Sequence, residues 1–123
     1  MGPQITDSHF VIAVCDLEKS ASYYRDVLGF AVRDMGDPGW RMLVKDRCTI
    51  LAGECPDAIP PTRLGDHSYF AYFVIDGIDD YYQGVVARGG RIRKPVRDEP
   101  WKMREFAVET VDGHRIMFGS RIQ

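Results

Sequence analysis

The sequence predicts a single α+β domain made of two tandem strand–helix–three-strand (βαβββ) units, and three observations carry that prediction. The chain has 123 residues, 45% hydrophobic and 28% charged, enough for one compact core and no second. It also nearly repeats itself: HFVIAVCDLEKSASYYRDVLGFAV from His9 answers to YFAYFVIDGIDDYYQGVVARGGRI from Tyr69. An offset of 60 sets Asp16 on Asp76, Phe10 on Phe70, Val14 on Val74, Gly29 on Gly89 and Val32 on Ile92, and one residue of slip later Trp40 lands on Trp101. Finally, each copy passes from a β-branched apolar run to a helical period and then to short strands separated by turn residues.

In the first unit, His9 to Cys15 reads as a strand buried on both faces. Asp16 can cap a helix whose apolar positions Leu17, Ala21, Tyr24 and Leu28 are spaced four, three and four apart, and Gly29 stands where a left-handed C-terminal cap belongs. Strands follow at Ala31 to Asp34, Arg41 to Lys45 and Thr49 to Ala52. In the second unit the stripe Ile78, Tyr82 and Val85 is one residue out of phase with the first, and strands follow at Arg91 to Lys94, Arg104 to Glu109 and Arg115 to Gly119. Asp37-Pro38-Gly39, Asp46-Arg47 and the hairpin signal Asp112-Gly113 supply turns. The repeats span about 7–58 and 67–121, joined by a connection containing Pro56, Pro60 and Pro61. A unit of ~60 residues is marginal alone, so the two are expected to share one sheet.

Net charge is −2, with 16 basic residues scattered among 18 acids, so no basic stripe points to nucleic acid. No apolar run reaches the ~20 residues of a membrane span, and the start MGPQITDSHF lacks the basic flank and apolar centre of a secretion signal, so a cytoplasmic chain is the expectation. Cys15, Cys48 and Cys55 match no zinc or redox spacing and read as small buried hydrophobes.

The pair of units, with DLEKSASYYRDVLGF in the first and REFAVETVDGHRIMFG in the second, resembles the vicinal oxygen chelate superfamily of glyoxalases, ring-cleaving dioxygenases and bleomycin-resistance proteins over roughly Asp7 to Arg121. Gly39-Trp40, and Pro100-Trp101 followed by Arg104-Glu105-Phe106, are most similar to the bleomycin-resistance branch. The resemblance implies a curled mixed sheet with helices on its convex face, a ligand cleft on its concave face, and a homodimer. Alternation along the strands would then point His9, Val11 and Ala13 into the cleft, with Tyr69, Ala71 and Phe73 by the same offset.

Enzymatic members of the superfamily place metal ligands at positions that fall here on His9, Leu51, Tyr69 and Met117. Leucine offers no lone pair, neutral tyrosine is a poor ligand and a thioether is a soft, weak one, so neither a metal nor another cofactor is expected. Glu54, three residues from Leu51, falls on the opposite strand face and does not repair the set. Leu51, Tyr69 and Met117 would instead line an apolar floor. His9 and Tyr69 are the candidates for acid–base chemistry, His67 stands at a strand start and His114 falls in an exposed turn.

Trp40 and Trp101 either pack a core or subunit interface or form two walls of a pocket. The acids Asp34, Asp37, Asp46, Glu105 and Glu109 are candidates to attract a cationic ligand, Glu105 foremost. The leading expectation is a metal-free, dimeric protein that sequesters a bulky aromatic and cationic small molecule such as a bleomycin-type antibiotic. The alternatives are a lyase, isomerase or dioxygenase of the same superfamily, and a module using its indoles to bind a protein or another metabolite.

Overall fold

The structure is a computed structural model that describes residues 2–65 and 68–123. Its elements are β1 (Phe10–Val14), α1 (Leu17–Asp26), β2 (Ala31–Asp34), β3 (Trp40–Lys45), β4 (Cys48–Glu54), a short 3₁₀ turn (Pro61–Arg63), β5 (Ala71–Val74), α2 (Ile78–Ala87), β6 (Ile92–Asp98), β7 (Met103–Glu109) and β8 (Arg115–Arg121). They form two four-stranded mixed sheets with matching strand orders, β1-β4-β3-β2 and β5-β8-β7-β6. In each, the first strand runs parallel to the last and the other pairs are antiparallel hairpins.

Local chemistry explains the elements. Asp16 caps α1 by accepting from the Lys19 amide at 3.1 Å, and Glu54 accepts from the Leu17 amide at 3.1 Å, so two carboxylates meet the positive end of the helix. Gly29, at φ 80°, ends the helix in the left-handed region. At α2 the cap position falls on Gly77, with φ 70° and no side-chain cap, rather than on Asp76. The repeat therefore runs at 61 residues from the outset: Phe10 answers to Ala71, Leu17 to Ile78 and Ala31 to Ile92. That single residue is the phase slip seen in the helical stripes. β6 runs further than its apolar pattern and contains Pro95, which an edge strand tolerates where its ladder is interrupted, here between Lys94 and Arg97.

The halves share a core rather than a ladder. Tyr24 and Leu28 of the first helical segment, Val85 of α2, Leu43 and Ile50 of one sheet, and Phe106, Val108 and Ile116 of the other are fully enclosed in one cluster. Phe106 stacks on Phe118 at 5.1 Å, while Phe10 meets Phe73 edge-on at 5.5 Å across the two halves. Polar ties reinforce the join. Tyr81 of α2 donates to the Leu28 carbonyl at 2.7 Å, and Arg88 Nε to that of Val27 at 2.9 Å, satisfying carbonyls that the end of α1 leaves open. The Asp112 carboxylate accepts from Ser20 Oγ and from the Cys15 amide.

Because both helices and the inward faces of both sheets enter this core, the other face of each sheet looks outward. β1 is accordingly covered on one side only: Ile12 and Val14 are buried, but Val11 is 64% exposed and Ala13 is exposed. Its unbroken apolar run reflects an edge strand with an uncovered face. Cys15 and Cys55, expected to be buried, are exposed just beyond the ends of β1 and β4. Only Cys48 is partly sheltered, and burial pushes its thiol up to about 11. His114, expected in the open, is buried because the β7–β8 turn folds it edge-on against Phe70. No helix among the described residues is long and apolar enough to cross a membrane.

Candidate functional site

Strand register decides which side chains share an outward face. In the first sheet Val11, Leu51 and Met42 form one row, and Ala13, Gly53 and Trp40 the next. These two rows are apolar, except that the first continues from Met42 to the exposed Arg33 of β2. In the second sheet the rows are Tyr72, Met117, Ala107 and Lys94, and then Gly119 with Val74 and Glu105. This surface carries charge, centred on Glu105.

Glu105 is 3% exposed and gathers three donors. Its Oε2 accepts from the Tyr72 hydroxyl at 2.7 Å and from Trp101 Nε1 at 2.9 Å; its Oε1 accepts from Lys94 Nζ at 2.9 Å. Lys94 also pairs with Glu99, which in turn accepts from Arg97 Nε at 3.0 Å. Burial alone would raise the Glu105 carboxyl, but the hydrogen bonds from Trp101, Lys94 and Tyr72 outweigh it and hold the group below the usual carboxylate range. Burial likewise opposes the Lys94 charge, and Glu99 and Glu105 outweigh it, keeping the ammonium above its ordinary value. Burial and the neighbouring carboxylate push the Tyr72 phenol up, so it stays a donor.

The network fixes aromatic rings at the surface. Trp101 is 59% exposed, yet its indole nitrogen is tied to Glu105 and Lys94 Nζ lies 5.6 Å from its ring centroid. Tyr72 lies across Gly119, where an added Cβ would stand 1.9 Å from the hydroxyl oxygen. The first sheet has a counterpart: Trp40 lies over Gly53, where a Cβ would come within 2.7 Å of the indole. In both sheets a glycine at the matching place on the last strand gives an aromatic ring room to lie flat.

The candidates from sequence divide accordingly. Trp101, Glu105 and Met117 meet on the second outward face, and Trp40 and Leu51 on the first. His9 precedes β1, with Nε2 3.3 Å from Asp7 Oδ2. Phe73 packs against Phe10 and Phe118 and, with Tyr72, Lys45 and Cys48, also lines a cavity of about 510 Å³ beside the β5 edge. Ala71 is buried. Tyr69 stands ahead of β5, beside Phe70, His114 and Arg115 in a cavity of about 200 Å³. The cause is again the extra residue in the repeat, which puts Tyr72 where the shorter offset put Phe73 or Ala71. His67 lies outside the described residues.

Glu105 is not a free surface acid, and the other acids also have partners. Asp34 faces Arg41 at 3.5 Å, Asp46 faces Lys45 at 3.6 Å, Glu109 faces Arg115 at 3.4 Å, and Asp37 accepts from the Gly39 amide at 2.8 Å. Arg104 leaves by the opposite face to Asp79 at 2.9 Å. Tyr72 and Lys94 were not legible as site residues; the offset of 61 marked by Trp40 and Trp101 is the signal that assigns Tyr72 to Val11.

The four superfamily metal positions do not fit a metal here. Tyr69 has left the face that Met117 occupies, Leu51 has no donor atom, and among the described residues no three His, Cys, Asp or Glu side chains gather around one point.

The profile of the Glyoxalase/Bleomycin resistance protein/Dioxygenase superfamily matches residues 8–118. Among solved structures, the chain is similar to TioX from Micromonospora sp. ML1, with a TM-score of 0.73 at 19% identity over 94% of this chain and 99% of that one. A glyoxalase-related enzyme from Clostridium phytofermentans gives 0.79 at 19% identity, covering 98% of each chain. A glyoxalase/bleomycin resistance protein/dioxygenase from Nocardioides gives 0.75 at 17% identity over 100% of this chain and 87% of that one. Such identities establish the fold alone, and no curated protein matches significantly. With its two matching βαβββ halves and a family profile running through nearly all of both, the chain belongs to the glyoxalase/bleomycin resistance protein/dioxygenase superfamily.

Proposed function

We propose that this protein is a cytoplasmic homodimer of the bleomycin-resistance type, which holds a bulky, cationic, planar aromatic ligand such as a bleomycin-type antibiotic without metal or turnover. The observation that carries the proposal is the tethered indole of Trp101, mostly exposed yet fixed through Nε1 by a buried carboxylate. A ring ordered during folding loses little further freedom when a flat ligand stacks on it. Tyr72 and Trp40, each seated on a glycine, extend the same device to both outward faces. Since Glu105 and Glu99 are already paired with cations, ring faces are the better hosts for the ligand's positive groups.

The homodimer has its own support. β1 and β5 are edge strands, and Val11 on the one and Val74 on the other are 64% and 75% exposed. A second copy would cover these apolar edges. Catalysis through His9 and Tyr69 is not favoured, because His9 faces Asp7 while Tyr69 lines a separate cavity.

The test is a titration of intrinsic tryptophan fluorescence with bleomycin in chelator-treated protein. A saturable change at micromolar ligand or tighter, lost in Trp101→Ala, is expected. Silence up to millimolar ligand would remove bleomycin as the ligand.

A further inference from the structure

Two cysteines far apart in sequence end up side by side. β1 and β4 are parallel neighbours, with Ala13 opposite Gly53 and Val14 opposite Glu54. The Cys55 amide donates to the Val14 carbonyl at 2.7 Å and closes this last pair, so the cysteines are the next residue on each strand. Cys15 and Cys55 each follow directly on the ends of these two neighbouring strands. Cys15 Sγ lies 3.9 Å from the carbonyl oxygen of Pro56, the residue after Cys55. Both thiols are free and exposed, and both line one cavity of about 200 Å³ with Ala13, Pro56 and Asp112. Neighbouring strand positions bring Cα atoms within the roughly 4.4–6.8 Å that a disulfide bridges, leaving χ1 rotation to close the sulfur gap.

We propose that Cys15 and Cys55 form a dithiol modification site that closes to an intramolecular disulfide when it meets a small disulfide oxidant such as oxidised glutathione. The Cys15 thiolate attacks the glutathione disulfide, forming a mixed disulfide and releasing one glutathione thiolate. The Cys55 thiolate then attacks the Cys15 sulfur, forming the Cys15–Cys55 bond and releasing the second. Two protein thiols lose two electrons, the oxidant becomes two reduced glutathiones, and the two thiol protons pass to them. The bond would tie the end of β1 to the start of the Pro56–Pro61 connection, two residues from the glycine under Trp40.

The experiment treats the full chain with oxidised glutathione, blocks remaining thiols with an alkylating agent, and maps the cysteines by mass spectrometry. The expected result is a monomer lighter by two hydrogens before alkylation, one crosslinked peptide pair carrying Cys15 and Cys55, and alkylation of Cys48 alone. Cys48→Ser should leave the crosslink unchanged, whereas Cys15→Ser and Cys55→Ser should each retain a glutathione on the remaining partner. Stable glutathione adducts on both cysteines of the wild-type chain, a crosslink through Cys48, or disulfide-linked dimers would each overturn the proposal.

Discussion

Replacing Glu105 by Gln keeps the side chain's shape and removes its charge. The buried carboxylate serves three donors, two on Oε2 and one on Oε1. An amide offers one oxygen and one NH₂, so either arrangement sets a donor against a donor. With the oxygen toward Tyr72 and Trp101, the NH₂ faces Lys94; reversed, it faces an indole N–H that cannot accept. One stranded partner costs about 1–3 kcal/mol, and Lys94 keeps only Glu99. For a domain of this size that corresponds to a fall of roughly 4–12 °C in Tm at neutral pH, readable by far-UV circular dichroism.

The effect should also depend on pH. The folded-state pKa of Glu105 is lowered, so its stabilisation is present above the unfolded carboxylate value and is lost as pH falls through the folded one. The gap between wild type and Glu105→Gln should therefore narrow on acidification. A Tm difference below about 2 °C at neutral pH, or a full gap persisting in acid, would refute the role given to this carboxylate.

Gly119→Ala places a methyl group 1.9 Å from the Tyr72 hydroxyl oxygen, so the ring must leave Glu105; a loss of about 1–2 kcal/mol in urea unfolding is expected, with an altered near-UV tyrosine signal. Gly53→Ala should lift the Trp40 indole, which a Cβ would approach to 2.7 Å, changing the near-UV tryptophan bands and weakening ligand binding. Tyr24→Phe should be neutral or stabilising by up to about 1 kcal/mol in the same unfolding assay, because the fully buried Tyr24 hydroxyl finds no partner among the described residues.

Much of the fold was legible because it is written twice. The alternation of Phe10, Ile12 and Val14, the α1 stripe closed by Gly29, and the Asp112-Gly113 hairpin are local signals that tertiary packing preserves. Strand register was harder to read, since a one-residue change in repeat length reverses every side chain of β5. Asp16 and Asp76 argued for 60, Trp40 and Trp101 for 61, and only the ladder between Tyr72 and Met117 decides. The candidate site suffered from the same ambiguity: Trp101, Glu105 and Met117 do share one outward face, Tyr72 was assigned to the wrong face by the offset of 60, and Lys94 was invisible because its position depends on an irregular edge strand. Cys15 and Cys55 were misjudged because small residues read as buried until the ends of β1 and β4 are located.

The most direct test of the account is equilibrium dialysis of metal-free bleomycin against chelator-treated protein, with the ligand recovered afterwards and examined by mass spectrometry. The account predicts saturable retention, diminished in Trp101→Ala and in Trp40→Ala, and ligand released chemically unchanged. Equal distribution across the membrane, or recovery of a modified ligand, would contradict a protein that works by holding its ligand on fixed aromatic rings.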